Sequence, residues 1–427
     1  MEASQEYAIR VLDEELDELL AELAAIAIEG AKAVGKTETA VQRASTIHEL
    51  DDLDERAIAA ADVDRLLADP PPVLIDEWQH LPQVWDKVRR AVDAGAPPGR
   101  FLLTGSASPH TPGTHSGAGR IVSLRMRPLS LAERMPGAAT VSLAELLLGE
   151  GAPVAGRTDT TLEDYTDEIL RSGFPGMRRL GWRPLRAQLD AYLRRIVDRD
   201  FAELGHPVRN PEGLRRWLTA YAAATATTTS FERIRDAATG GHESAPARST
   251  VLPYRDVLER LYVLDEVPGW KPSSNRIAEL ALPPKHHLAD PGLAARLLGA
   301  SASALLRGAS PGPTIARDGT LLGALFESLV TLSVRVYAQA SEATVGHLRT
   351  HRGEREVDLI VERDDGRVVA IEVKLTATPD DDDVRHLRWL KGKLGDDLLD
   401  AVVVTTGRGA YRRPDGIAVV PAALLGP

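Results

Sequence analysis

Gly30-Ala31-Lys32-Ala33-Val34-Gly35-Lys36-Thr37 fits the pattern G-x-x-x-x-G-K-[ST], between an apolar run, Ala24 to Glu29 (AAIAIE), and a helical one. This order predicts a strand, a phosphate loop and a helix that begins on the loop. Its two glycines let the backbone curl so that consecutive N–H groups face one anion, and the helix N-terminus adds partial positive charge. In such a loop the Lys36 ammonium neutralises the β- and γ-phosphates and the Thr37 hydroxyl ligates Mg²⁺. Gly30 to Thr37 is therefore read as a nucleoside triphosphate site, with ATP and Mg²⁺ as its expected ligands.

Downstream, Val73-Leu-Ile-Asp76-Glu77 is an apolar run ending in two acids. After a phosphate loop, Asp76 is expected to hold Mg²⁺ through water and Glu77 to polarise the attacking water. Phe101-Leu-Leu-Thr104-Gly-Ser106 ends in hydroxyls, for which two readings stand: contact with the γ-phosphate or its water, or plain turn chemistry. Arg120, after the Pro-, Gly- and Ser-rich stretch SPHTPGTHSGAG (108–119), is a candidate to stabilise charge on the transferred phosphoryl group. That stretch is expected to be a mobile loop. Ala24 to Glu29, Pro72 to Ile75 and Arg100 to Leu103 read as buried strands alternating with helices, the pattern of parallel βα units.

A length of 427 residues implies two or three domains. We read 1–145 as the phosphate-loop domain, 155–275 as a helical region and 285–427 as a second α/β domain. Helical spacing covers Leu162 to Leu170, Pro184 to Asp200 and Pro211 to Ala224. The polar segment ATGGHESAPARST (238–250) and LPYRDVLERLYVLDEVPGW (252–270) then suggest a winged helix. The absence of cysteine excludes disulfides, thiol catalysis and cysteine zinc sites. A net charge of −11 argues against a global basic field coating nucleic acid, while leaving room for a local basic stripe. No apolar stretch of the ~18 residues that cross a bilayer is apparent, and the acidic start is unlike a signal peptide, so a cytoplasmic protein is expected. Arginines number 43 and lysines 8, which draws attention to Lys32, Lys36 and Lys374.

The third stretch carries a second constellation. Glu327 lies in a helical run, Asp358 in the strand-like EREVDLIVE, and Glu372 and Lys374 in VVAIEVKLT, with the turn DDGR between the last two. Alternation puts Glu372 and Lys374 on one side of their strand. Converging acids of this kind hold Mg²⁺ against a scissile phosphate while a lysine positions or activates water. Glu327, Asp358, Glu372 and Lys374 together resemble the restriction-endonuclease-like PD-(D/E)XK pattern. That resemblance implies a nuclease-like fold, which serves other proteins either as a nuclease or as a binding platform. The histidines His80, His110, His115, His286 and His287 are read as solvated or core residues, not metal ligands.

GAKAVGKTETA, VLIDEWQHLP, RFLLTGSAS and GRIVSLRMRPLSLAE, in that order, resemble the bacterial and archaeal AAA+-type ATPases that carry a C-terminal domain of unknown function. SGFPG (Ser172 to Gly176), YLRRIVDRDFAELG (Tyr192 to Gly205) and KHHLADPGLAARLLG (Lys285 to Gly299) extend the resemblance over nearly the whole chain. Glu38 departs from it, where a second small hydroxyl residue is common. The resemblance implies an α/β multidomain protein: a P-loop parallel-sheet ATPase, a helical or winged-helix middle and a nuclease-like C-terminal domain. It also implies ATP as ligand and a homo-oligomer with composite sites. Two functions stand: an ATPase whose nucleotide state controls DNA engagement, and a nucleotide-gated switch that binds another protein through a non-catalytic C-terminal scaffold.

Overall fold

The computed structural model describes residues 7–106, 118–149, 151–239, 248–271, 282–310, 312, 313, 315, 319–350 and 353–427. Most of the 108–119 stretch, with His110 and His115, and most of the polar segment 238–250 lie outside the described residues. The chain forms two compact units. One gathers the N-terminal residues up to Pro128 with Phe174–Gly176 and Arg260–Val263; the other holds Leu129–Gly173, Met177–Glu259 and Leu264–Pro427.

The first unit is built on β1 (Ala25–Glu29), β2 (Thr46–Glu49), β3 (Val73–Asp76), β4 (Phe101–Gly105) and β5 (Val122–Arg125), all parallel, in the order β2-β3-β4-β1-β5. The three inner strands are buried along their whole length, which is why they read as unbroken apolar runs. The helix Gln83–Asp93 covers one face, where Trp85 stacks on Trp78 with ring centroids 4.7 Å apart. Both indoles pack with Ala25, Ala27, Ile75 and Leu103 of the sheet. Because every strand runs the same way, Glu29, Asp76 and Gly105 finish on one edge. Ligands of open parallel sheets bind at that edge, where the strand order reverses.

The second unit centres on a seven-stranded sheet of order β7-β12-β13-β11-β10-β9-β8. Its strands are β7 (Gly156–Arg157), β8 (Thr344–Arg349), β9 (Glu356–Glu362), β10 (Val368–Val373), β11 (Leu398–Thr405), β12 (Gly409–Arg412) and β13 (Ala418–Pro421). A separate parallel pair joins β6 (Val141–Ser142) to β14 (Leu425–Gly426). β8, β9 and β10 form an antiparallel meander, and β10, β11 and β13 run parallel. The helix Arg385–Leu394 makes the crossover from β10 to β11, which parallel neighbours require. Helix Leu321–Ala340 precedes the meander. It is long and apolar enough to cross a membrane by composition, with mean hydropathy 1.4, contrary to the expectation that no such stretch exists; 78% of the relevant window is buried inside the fold. It is the central core helix, packed on the helices Leu162–Arg171 and Pro291–Leu297.

The helical middle and the C-terminal sheet, expected as separate regions, belong to this one unit. After the helix Arg248–Arg260, the short apolar ending read as a wing makes isolated bridges, Leu264 to Leu288, Val267 to Lys285 and Gly269 to His347. A buried charge ties the unit further. Asp290 caps the helix Pro291–Leu297 by accepting the Gly292 N–H at 2.7 Å. Its other oxygen accepts the Gly173 N–H at 2.7 Å and pairs with Arg134 at 3.3 Å. Position 173 must be glycine, because a Cβ there falls 2.4 Å from the Arg134 guanidinium and 2.8 Å from the Leu129 carbonyl. Both side chains of the ion pair are fully buried, so removing one partner strands the other. Asp290→Ala is expected to cost about 3–5 kcal/mol of unfolding free energy, read from the urea midpoint and slope.

Candidate functional site

The phosphate loop leaves β1 and opens the helix Lys36–Val41, with Gly35 in the left-handed conformation (φ 102°) at the helix entry. At Gly30 a Cβ would stand 2.2 Å from the Met126 carbonyl oxygen, so close approach dictates the first glycine. Lys36 is buried and donates to the Gly30 and Ala31 carbonyls, each at 3.0 Å. Burial pulls its ammonium down to about 8, against the opposing pull of Glu77 and Asp76. Lys32 on the same loop is half-buried. Two residues that the sequence reading missed brace this loop from the N-terminal side. Arg10 donates to the Val34 carbonyl at 2.8 Å and the Arg127 carbonyl at 2.7 Å. The Tyr7 hydroxyl meets Thr39 Oγ1 at 3.0 Å. Neither lies in a recognisable motif, so only the folded chain brings them forward.

Strand order decides what faces the loop. β4 lies between β1 and β3, so Thr104 reaches across to the acids that end β3. Asp76 Oδ1 accepts from the Thr37 hydroxyl at 2.7 Å and from the Thr104 hydroxyl. Burial raises the Asp76 pKa, and these two donors oppose the rise. Glu77 follows in the left-handed region (φ 50°), a conformation that costs a non-glycine residue on the order of 1 kcal/mol. Its N–H donates to Thr104 Oγ1 at 3.2 Å, and its carboxylate accepts from Ser106 Oγ at 3.0 Å and from the Gln79 amide. Ser106 thus meets Glu77, and Gln79 joins them. At the root of the loop Glu29 accepts from Ser123 at 2.8 Å and from the Tyr262 hydroxyl, whose ring carries the Arg125 guanidinium 4.2 Å from its centroid.

Arg120 is the correction. Its guanidinium pairs with Asp93 at 2.7 Å and is about half exposed. It precedes β5, and so stands at the edge where the parallel strands begin, whereas the phosphate loop lies where they end. A residue at that edge has no path to the γ-phosphate position within its own domain. The remaining groups suit Mg-ATP: a glycine loop with no room for a side chain at its start, a buried ammonium bonded to loop carbonyls, and a hydrogen-bonded Thr–Asp pair where β3 ends.

In the second unit, Glu327, Asp358, Glu372 and Lys374 line one cleft of about 1050 Å³. Asp358 Oδ2 accepts the Val373 N–H at 2.9 Å, and Lys374 pairs with Glu372 at 3.0 Å. The sequence reading missed Lys285 and Glu356. The buried Lys285 ammonium lies 2.9 Å from Glu327, 3.0 Å from Asp358 and 3.3 Å from Glu356. Burial, with Asp358 nearby, pushes Glu327 up to about 8 and Glu372 up to about 7. Asp358, despite burial, is held well below the usual carboxylate range by Lys285 and Lys374. The signal for Lys285 was present, as one of only eight lysines in the chain, but its neighbours His286 and His287 drew the attention. Both histidines are core residues as expected, and His286 bonds the Thr229 carbonyl. His80 is exposed.

Comparison with known proteins agrees with the first unit. Residues 23–135 match the AAA domain family, residues 162–304 a domain of unknown function (DUF8612), and residues 322–425 another (DUF4143). Uncharacterized protein Rv2008c of Mycobacterium tuberculosis and uncharacterized protein Mb2031c of Mycobacterium bovis are each 26% identical over 355 residues, covering 82% of this chain and 68% of theirs. The Walker-type ATPase PABY2304 of Pyrococcus abyssi aligns over 67% of this chain and 94% of its own, at 15% identity and a TM-score of 0.40. The phosphate loop and parallel sheet of the N-terminal part fit this match to the AAA domain family, which supports a P-loop nucleotide-binding domain there. Ser106→Ala removes one of the two donors on Glu77 Oε2, leaving Gln79, and is expected to lower ATP turnover by roughly tenfold with nucleotide affinity kept. Arg120→Ala is expected to leave turnover within about twofold, since an exposed ion pair contributes little. A coupled-enzyme assay on the two variants checks both.

Proposed function

We propose that this chain is a Mg²⁺-dependent ATPase whose nucleotide state controls DNA engagement by its C-terminal sheet. The observation that carries the first half is the shared carboxylate at the strand edge: Asp76 bonded to Thr37 of the loop and Thr104 of β4, with Glu77 beside it. Thr37 and Asp76 would hold Mg²⁺, which supplies charge neutralisation on the β- and γ-phosphates. Gly30 to Gly35 offer backbone N–H groups to the phosphates, and Lys36 turns from the Gly30 and Ala31 carbonyls to the anion. Glu77, oriented by Ser106 and Gln79, accepts the proton of the attacking water.

Support for the DNA half is topological and chemical. The order helix, three-stranded meander, helix, parallel strand agrees with the restriction-endonuclease-like reading of Glu327, Asp358, Glu372 and Lys374. Their cleft also carries Arg233, Arg349, Arg385 and the hydroxyls of Thr228 and Ser230, groups that bind phosphodiesters without reading sequence. The second reading, a protein-binding switch with a non-catalytic scaffold, has Lys285 in its favour, because an ammonium already fills the carboxylate cluster.

ATP turnover by the full chain, with and without single- and double-stranded DNA at low salt, tests the proposal. Lys36→Ala is expected to abolish turnover and nucleotide binding. Glu77→Gln is expected to keep binding and lose about 10²–10⁴-fold in turnover. Hydrolysis that persists in Lys36→Ala overturns the ATPase half; DNA that neither binds nor changes the rate overturns the other and leaves the protein-binding switch.

A further inference from the structure

The carboxylates of the C-terminal cleft converge on one point, and a side chain occupies that point. Glu327 from the core helix and Glu356 and Asp358 from β9 surround the Lys285 Nζ at 2.9, 3.3 and 3.0 Å. These are ammonium distances. Mg²⁺ draws oxygens in to about 2.0–2.1 Å and asks for octahedral order, so with the ammonium in place the three acids are held too far from this centre for such an ion. The second oxygen of Asp358 is also committed, accepting the Val373 N–H at 2.9 Å. Glu372 stands apart, with Oε2 paired to Lys374 at 3.0 Å and Oε1 buried without a hydrogen bond, 3.7 Å from His386 Nδ1. His386 Nδ1 is itself 2.6 Å from the Glu356 carbonyl. Among the described residues, no group of three or more His, Asp or Glu is disposed to hold a metal ion.

Lys285 is also unable to swing aside freely. Its backbone pairs with Val267 in both directions at 2.9 Å, and the side chain has 1% of its surface exposed. Withdrawing it would leave one buried and two half-buried carboxylates facing one another without a cation, a costlier state than the paired one. The residues needed for two-acid metal chemistry are present, but the place where their charges meet is filled.

We propose that the Lys285 ammonium is the resident cation of this cleft, standing where a divalent metal would otherwise sit, so that the cluster takes no Mg²⁺ or Mn²⁺. Where the cleft engages DNA, which rests on the reading above, it binds the phosphodiester backbone without metal and without cutting it.

Mn²⁺ titration of the full chain without nucleotide, followed by electron paramagnetic resonance, tests the proposal independently of DNA. Wild type and Asp358→Asn are expected to bind the same number of ions. Lys285→Met is expected to bind one more, and Lys285→Met/Asp358→Asn to lose it again. A bound ion that wild type loses on Asp358→Asn overturns the proposal, and this comparison decides it even if Lys285→Met fails to fold. A folded Lys285→Met that gains no ion overturns it too, as does Mn²⁺-dependent nicking by wild type that Asp358→Asn abolishes. DNA that fails to bind at all counts against the DNA reading and leaves the ion count to decide the rest.

Discussion

Asp290 is a carboxylate with no exposed surface, and the second unit is arranged around the need to satisfy it. A buried anion is tolerated only when each lone pair finds a donor. Here the donors come from three distant places in the chain: the first turn of its own helix, the Gly173 backbone and the Arg134 side chain. Arg134 in turn donates to the Leu129 and Glu168 carbonyls. One charge thus fixes the entry of a helix, the turn after another and the start of the unit. The segments SGFPG and HLADPG, conspicuous in the sequence with no catalytic group between them, have this mutual satisfaction as their physical reason.

The same rule governs the phosphate site, with a different outcome. Asp76 is buried, and its two donors are hydroxyls and not a cation. Hydroxyl partners exchange easily, since each can rotate to accept from water or ligate a metal. Arginine in their place would neutralise the carboxylate and remove it from metal chemistry. Parallel register makes the arrangement possible: β4 pairs with both β1 and β3, so one strand end faces the loop and the acids together.

Much of this was legible in the sequence, for reasons specific to each element. β1, β3 and β4 are buried on both sides and therefore spell unbroken apolar runs. Glu372 and Lys374 alternate on one strand side, and they pair as that spacing requires. β2 and β5 are edge strands without an unbroken apolar run: β2 (TIHE) has no fully buried residue and β5 (VSLR) only one. The place of Arg120 was not legible because following a Gly-rich stretch says nothing about which end of a strand a residue occupies. Lys285 escaped because its partners lie 42 to 73 residues away, and no local pattern encodes an encounter of that range.

The scarcity of lysine then acquires a physical meaning. Most cationic positions in the chain are arginine, which suits exposed and bidentate pairing such as Arg412 with Asp400 or Arg296 with Asp190. Lys36, Lys285 and Lys374 stand where geometry asks for something else. An ammonium is compact and presents three donors tetrahedrally, so it fits under a curled loop or among three converging acids. A planar guanidinium in the place of Lys285 would reach two carboxylates in its plane and push the third away, breaking the junction of the core helix with β9. The choice of lysine at these positions follows from the number and direction of the acceptors, and the burial of Lys36 and Lys285 makes that choice strict.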